Sequence, residues 1–155
     1  MTCGVEWLSI GLLLECVVTE GLRMIVDLFG SFPCTIENGR IKLPAPFCKA
    51  LSIQSKQQIH LTRELPDCLY LYSQEQWVKR VEELTRLNMK EGGDERLRRI
   101  ADKHHTVDVD KNGRMTIPQE LREAGGLGKK VMVVGLFHRM EVWDFEAYER
   151  SLGRM

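Results

Sequence analysis

Apolar and polar residues alternate in several short stretches of the chain downstream of residue 24. Alternation of this kind is typical of half-buried strands, and it predicts strands at 41–43, 58–62, 68–72, 106–109, 115–117, 130–134 and 140–143. One longer helix is predicted from a stripe of apolar residues at helical spacing, Trp77, Val81, Leu84 and Leu87. It begins at the capping-box sequence Ser73 to Gln76, and a shorter helix follows at 95–103. The pattern indicates an α+β protein that is mainly β.

One polar turn occurs twice in the chain. The motif Asn-Gly-Arg-x-x-x-Pro spans residues 38–44 and again residues 112–118. Asn-Gly favours a tight hairpin because both residues tolerate positive φ, and a proline after the second strand suits the first turn of a helix. Each copy therefore predicts a strand, a turn, a second strand and a short helix.

A similar tail follows each copy of the turn. Leu69 to Ser73 and Met140 to Asp144 are both strand-like segments that lead into a helix. Two such units cannot each bury much apolar surface, but together they can close a small β-barrel with short helices outside. We therefore predict a pseudo-twofold barrel with a first repeat at 24–84, a helical linker at 85–104 and a second repeat at 105–155.

Residues 1–23 differ from the rest of the chain. Leu8 to Leu14 is apolar, but no basic residue precedes it and Glu15 follows at once, unlike a signal peptide. We expect an extension outside the repeated core, upstream of a natural start at Met24, and an anchor or export signal is the alternative. No run of about 18 apolar residues could cross a bilayer, so no membrane partner is predicted.

Charge distribution tells more about the partner than net charge, which is zero. Residues 34–63 carry several basic side chains against the single acidic Glu37, and a local basic patch attracts phosphates even on a neutral protein. The five cysteines are odd in number and have no C-x-x-C spacing. That pattern favours a reducing cytoplasm.

A catalytic or metal-binding function is not indicated by the spacing of reactive residues. A cysteine nucleophile, Cys34 or Cys48, needs an oriented base such as His104 or His105 together with an oxyanion site, and a structural zinc site needs four ligands. No motif in the sequence supplies either set. We therefore predict that the protein is not an enzyme and has no cofactor.

The repeated turn suits double-stranded DNA. A two-stranded ribbon fits the major groove, where an arginine can donate two hydrogen bonds to guanine, while lysines bind phosphates. The candidate DNA-binding residues lie in and beside the two turns: Asn38, Arg40, Lys42, Lys111, Asn112 and Arg114. The alternative is that each arginine only ties its own turn, Arg114 to Asp110, without contacting DNA.

Asp-x-x-x-Arg followed by x-x-x-Pro and a short helix, with Glu-Val-Trp-Asp after the second copy, resembles the MraZ family. That family belongs to the AbrB-like, swapped-hairpin barrel superfamily, and the resemblance covers residues 24–152. It implies a bacterial transcriptional regulator associated with the nucleoid. The expected target is a set of short direct repeats in promoter DNA upstream of the division and cell-wall gene cluster. The resemblance also implies ring-shaped homo-oligomers, in which several weak contacts add up.

The two copies match the family motif unequally. The second has all the motif side chains, Asp110, Arg114, Pro118 and Arg122. The first keeps Arg40 and Pro44, but Ile36 replaces the aspartate and Cys48 replaces the helix arginine. We therefore expect Arg114, oriented by Asp110, to contribute most to DNA binding and Arg40 to contribute less. An oligomeric protein-interaction module of the same fold, without DNA binding, is the alternative function.

Overall fold

The computed structural model describes residues 28–51, 57–87 and 93–154. The expectations for the extension at 1–23 and for a natural start at Met24 fall outside these ranges. None of the helices within them is long and apolar enough to cross a membrane.

Most of the described strands form one antiparallel sheet of six strands in the order β1-β7-β8-β4-β3-β5. Two further strands, β2 and β6, pair only with each other as a separate antiparallel ribbon. The strand bounds are β1 Phe29–Thr35, β2 Arg40–Lys42, β3 Gln57–Leu65, β4 Cys68–Ser73, β5 His105–Val109, β6 Arg114–Thr116, β7 Lys130–Leu136 and β8 Met140–Asp144.

The described part of the chain has five helices, four between strands and one after the last strand. They are α1 Ala45–Ala50, α2 Gln74–Leu87, α3 Gly93–Asp102, α4 Gln119–Ala124 and α5 Phe145–Ser151. Prolines stand at the starts of α1 and α4, as the motif predicts. The predicted capping box at α2 is confirmed, because Gln76 N donates to Ser73 Oγ at 3.2 Å and Ser73 N donates to Gln76 Oε1 at 3.0 Å.

The two copies of the repeated unit exchange strands. β1 from the first copy pairs with β7 of the second, while β5 from the second copy pairs with β3 of the first. The strand order is unchanged when each strand is replaced by its counterpart in the other copy, which is the expected pseudo-twofold relation. The central pair, β4 and β8, joins the two halves.

The predicted closed barrel is wrong, although the α+β, mainly β class is confirmed. β1 and β5 are the two edges of the large sheet and do not pair with each other. In each copy the two strands that flank the turn separate directly after it. β2 therefore does not continue along β1, nor β6 along β5, and β2 and β6 pair with each other across the pseudo-twofold axis. The ribbon contacts both edges of the sheet without extending it.

The core lies under this ribbon, between the sheet and the helices α1 and α4. Period-two alternation in β2 and β6 sends one residue of each inward, and Ile41 and Met115 are each only 1% exposed. Phe47 from α1 and Leu121 from α4 are fully buried beside them. Further core residues come from the sheet: Ile59, Leu61, Leu69, Leu71, Val131, Val133, Met140 and Val142.

Helix α2 packs on the sheet with a narrower face than its sequence predicts. Leu84 is buried and Trp77 packs against a second buried cluster that contains Tyr70 and Tyr72. Val81, in contrast, is 42% exposed. By helical spacing Trp77, Val81 and Leu84 share one face, so the protein covers only part of that face.

A buried ion pair attaches α2 to strand β3. Arg80 Nη2 donates to Glu64 Oε1, and the side chains of Arg80 and Glu64 are 15% and 6% exposed. Tyr72 OH donates to the other carboxylate oxygen of Glu64 at 2.9 Å. Removal of one member of a buried pair leaves the other charge without compensation, which is strongly destabilising.

We expect Arg80→Ala to lower the free energy of unfolding by about 3 kcal/mol, because the Glu64 carboxylate would stay buried without its cation. Urea denaturation measures the change. The matched control is Arg99→Ala, which removes an exposed Arg99–Glu95 pair at 2.6 Å and should change stability little. Equal effects of the two substitutions would contradict the prediction.

Candidate nucleic-acid interface

The β2–β6 ribbon has one buried face and one charged face. In its antiparallel register Arg40 lies opposite Thr116, Ile41 opposite Met115, and Lys42 opposite Arg114. Ile41 and Met115 point into the core, so the other two pairs point outward, and all four of their residues are exposed. The ribbon therefore presents three cationic side chains, Arg40, Lys42 and Arg114, on one exposed face.

The two turns at the ends of the ribbon strands have different backbone conformations. The first is a two-residue hairpin, since Glu37 and Arg40 exchange both backbone hydrogen bonds at 2.9 Å. Asn38 and Gly39 both take positive φ there, 52° and 75°, as a type I′ turn requires. The second turn is one residue longer: Asp110 N donates to Arg114 O at 3.0 Å, and only Gly113 has positive φ, 80°.

The difference in turn type follows from the aspartate that only the second copy has. Asp110 Oδ1 accepts hydrogen bonds from the backbone N–H groups of Asn112 at 2.8 Å and Arg114 at 3.0 Å. The longer turn would leave these donors unpaired, and Ile36 cannot accept them. The first turn closes instead through backbone atoms alone, because Asn38 and Gly39 both tolerate positive φ.

The side-chain partner of Asp110 belongs to the other copy. Arg40 Nη2 donates to Asp110 Oδ2 at 3.2 Å across the ribbon. Asp110 holds Arg114 through its backbone N–H rather than through its guanidinium. The expectation that Asp110 orients the Arg114 side chain is therefore wrong, because the exchange of the two hairpins brings Asp110 beside Arg40.

The environment of Asp110 stabilises its charged form. The hydrogen bond from the Arg114 backbone N–H contributes most to lowering the pKa of Asp110, and the Asn112 N–H and the charge of Arg40 add to it. The equivalent position in the first copy holds Ile36, whose side chain is buried and uncharged. Because Ile36 has no carboxylate, the Arg114 guanidinium has no hydrogen-bonded acid among the described residues. Its strand neighbour in the register is another cation, Lys42.

Each turn is supported from behind by the other copy. Leu43 N donates to Gly113 O at 2.8 Å, and in the symmetric position Ile117 N donates to Gly39 O at 2.9 Å. The helix residue four positions after each proline, Cys48 or Arg122, covers the turn of the other copy. A Cβ added to Gly113 would lie 2.7 Å from Cys48 Sγ, and one added to Gly39 would lie 3.2 Å from Arg122 Nη2.

The structure brings most of the predicted site residues to one face of the molecule. Arg40, Lys42 and Arg114 lie on the outer face of the ribbon, and Asn38, Lys111 and Asn112 are exposed in its turns. Pro44 and Pro118 start the helices that carry Cys48 and Arg122. Sequence reasoning missed Lys129, whose carbonyl accepts from Ile36 N at 2.8 Å beside the first turn. No motif marks Lys129, since β1–β7 pairing alone brings it there.

In the described part of the chain, histidine, cysteine and acidic side chains form no group of three or more that could hold a metal ion. His60 Nδ1 and His104 Nε2 are 3.1 Å apart, and both rings stack on Trp77. Burial and the neighbouring histidines lower the pKa of His104, which favours its neutral form. A concavity of about 1100 Å³ beside α2 is lined by side chains of mixed charge, such as Glu75, Lys79 and Glu83. It is not adjacent to the ribbon turns.

We expect Gly113→Ala to destabilise the protein by more than the roughly 1 kcal/mol that positive φ costs an alanine, because its Cβ would also meet Cys48 Sγ. The control is Gly126→Ala, where φ is +64° and no atom lies within 4 Å of the added Cβ. Urea unfolding compares the two. Cys48→Ala in the Gly113→Ala background should recover the excess; equal costs at both glycines would refute the clash.

We expect Asp110→Asn to remove an acid-dependent part of the stability. The lowered pKa of Asp110 means that its contribution is present above the unfolded value of about 3.9 and is lost as pH falls through the folded value. Urea midpoints measured from pH 6 to pH 2 should therefore differ most near pH 6 and converge in acid. A constant difference would contradict this, and Asp110→Ala, which also removes the acceptor of the turn N–H groups, should be less stable throughout.

Comparison with known proteins places these features in a family. Residues 101–154 match the family model described as "MraZ protein, putative antitoxin-like". A solved structure, the solution structure of PHS018 from Pyrococcus horikoshii, aligns with 74% of this chain and 87% of its own at 17% identity, with a TM-score of 0.32.

Three curated relatives match over most of their own length, and each is named "Transcriptional regulator MraZ". The relative from Treponema denticola is 34% identical over 118 residues, which cover 75% of this chain and 80% of that protein. The relative from Caldicellulosiruptor saccharolyticus is 34% identical over 128 residues, 81% of this chain and 86% of the relative. The relative from Idiomarina loihiensis is 33% identical over 118 residues, 75% and 78% respectively. With such identity over more than three quarters of each relative, the chain belongs to the MraZ family.

Proposed function

We propose that this protein is a transcriptional regulator that binds double-stranded DNA through the outer face of the β2–β6 ribbon. The observation that carries the proposal is the set of three cationic side chains, Arg40, Lys42 and Arg114, on one exposed two-stranded ribbon. The names of the relatives, which describe regulators of transcription and not enzymes, support it.

The arrangement of charge on the ribbon favours an anionic partner. Lys42 and Arg114 lie directly opposite each other in the antiparallel register. Like charges in directly opposed positions destabilise a strand pair, and an anion between them would relieve the repulsion. The phosphate backbone of DNA supplies such anions at regular spacing.

The shape of the ribbon suits the major groove. A two-stranded ribbon is narrow enough to enter it, and the two tight turns keep the ends of the strands compact. Arg40 is held by Asp110 through one Nη2 donor at 3.2 Å, which leaves other guanidinium donors for a base edge. An oriented guanidinium binds a guanine edge more tightly than a free one, because less side-chain freedom is lost on binding.

Arg114 has a different role in this proposal. Its backbone is fixed by Asp110, but among the described residues no carboxylate accepts a hydrogen bond from its guanidinium, although its charge helps to lower the pKa of Asp110. It therefore acts as a cation beside Lys42, and its main contribution is to attract phosphates. Asn38, Lys111 and Asn112, exposed in the turns, contribute further polar contacts at the edge of the interface.

The target, the assembly and the cellular location are also proposed from the family resemblance. The target is a set of short direct repeats in the promoter DNA upstream of the division and cell-wall gene cluster. A single ribbon with three cations binds weakly, so we propose that several copies act together in a ring-shaped homo-oligomer on adjacent repeats. The protein would then lie in the cytoplasm, bound to the nucleoid.

We expect the two arginines to differ in DNA-binding assays. Arg40→Ala should reduce the preference for DNA from upstream of the protein's own gene (the upstream duplex) over a scrambled duplex by roughly tenfold or more, because a bidentate base contact is lost. Arg114→Ala should weaken binding to both duplexes and reduce the slope of log K against log salt by about 0.9, the value for one phosphate. Fluorescence anisotropy over a salt series measures both quantities.

The matched control is Arg99→Ala, which removes an exposed arginine on α3 and should change neither quantity. Wild-type protein that binds the upstream DNA no better than scrambled DNA would overturn sequence-specific recognition. Absence of any salt-dependent DNA binding would favour the protein-interaction alternative.

A further inference from the structure

The first turn of the ribbon opens onto a concavity. A space of about 560 Å³ lies beside it, lined by Ile36, Asn38, Gly39, Arg122, Leu127, Gly128 and Lys129. These residues come from the first hairpin and from the segments around α4 and the start of β7, so the concavity exists only because the two copies exchange strands. It lies directly behind the turn that carries Arg40.

Two cationic side chains line this concavity. Arg122 is half-buried, and its Nε donates to Ile117 O at 3.1 Å, which fixes the guanidinium behind Gly39. Its Nη2 would lie 3.2 Å from a Cβ at Gly39, so the glycine allows the close approach. Within the described ranges the Nη groups have no acceptor. Lys129 is exposed and lies at the rim.

Backbone donors complete the set. Asn38 and Gly39 are the two loop residues of the type I′ turn, and their N–H groups have no backbone acceptor in the part of the chain described. The carboxylate of Asp144 lies close to Gly128, but it accepts from Gly128 N at 3.0 Å and from Ala147 N at 3.4 Å. The concavity is thus lined by two cationic side chains and by two turn residues whose N–H groups have no acceptor in the described part of the chain, a combination that suits a phosphate oxygen.

Among the described residues, the place behind the second turn differs in two of these respects. Cys48 stands there instead of an arginine, with its Sγ against Gly113. In the second turn Asp110 accepts hydrogen bonds from the N–H groups of Asn112 and Arg114. Among the described residues, the groups behind the two turns therefore differ, with Arg122 behind Gly39 and Cys48 behind Gly113.

We propose that this concavity, held by Arg122 and Lys129, is a binding site for one phosphodiester of the DNA backbone. The site rests on the proposed DNA-binding function and adds a sequence-independent contact beside Arg40. A phosphate fixed behind the first turn would set the position of Arg40 against the base edges, since backbone contacts fix register while base contacts select sequence.

The test compares Lys129→Ala with Lys130→Ala in the full-length chain. The two lysines are adjacent and equally charged, but Lys130 Nζ lies 3.7 Å from the centroid of the Phe145 ring rather than at the concavity. Anisotropy with upstream and scrambled duplexes over a salt series should give a salt slope lower by about 0.9 for Lys129→Ala and an unchanged slope for Lys130→Ala. Affinity for both duplexes should fall together, with the preference between them retained.

Arg122→Gln is the second variant, with urea denaturation as the check on folding, because Arg122 also supports Ile117 O. It should lower the slope in the same way, and the double variant should lose about 1.8. Equal slopes for Lys129→Ala, Lys130→Ala and the wild type would overturn the phosphate site while leaving DNA binding intact. A wild-type protein that binds no duplex would overturn the proposed function and the site together.

Discussion

The exchange of the two hairpins is the constraint on which the rest of the structure depends. Each ribbon strand donates its following backbone N–H to the turn glycine of the other copy, Leu43 to Gly113 and Ile117 to Gly39. The strands that precede the turns are likewise paired with the opposite copy. Neither copy can satisfy its backbone hydrogen bonds alone, so the core, the ribbon and the helices behind the turns form as one unit.

This exchange determines the electrostatics of the ribbon. An aspartate that belongs to the second turn neutralises an arginine of the first, so the loss of the aspartate at Ile36 affects Arg114 and not Arg40. The same substitution changes the conformation of its own turn, because a buried aliphatic side chain cannot accept the N–H groups of a three-residue loop. The isoleucine at position 36 therefore changes the backbone conformation of its own turn and also leaves Arg114 of the other copy without a paired aspartate. The outcome is a ribbon whose two ends differ in orientation of charge and in the groups behind them.

Local elements were predictable because their signals lie within a few residues. The Asn-Gly turns, the prolines at α1 and α4 and the Ser73–Gln76 capping box are short-range hydrogen-bonding or steric effects, and each occurs where expected. The open sheet was not predictable, because closure of a barrel depends on whether the two edge strands pair with each other. β2 and β6 pair with each other, and β1 and β5 remain edges of the large sheet. Burial of Val81 was also overestimated, since helical spacing specifies a face but not how much of that face is covered.

The sequence by itself determined the mainly β class, the duplicated unit, the family and the set of polar residues in the turns, because each of these depends on residue type and short-range order. Only the tertiary structure decided which residues are partners. The Arg40–Asp110 pair, the place of Arg122 behind Gly39 and that of Cys48 behind Gly113 all join the two copies. A repeat with two equivalent units allows pairing within a copy or between copies with nearly the same local interactions. Strand exchange around a shared core determines that pairing occurs between the copies, and no local sequence pattern predicts this.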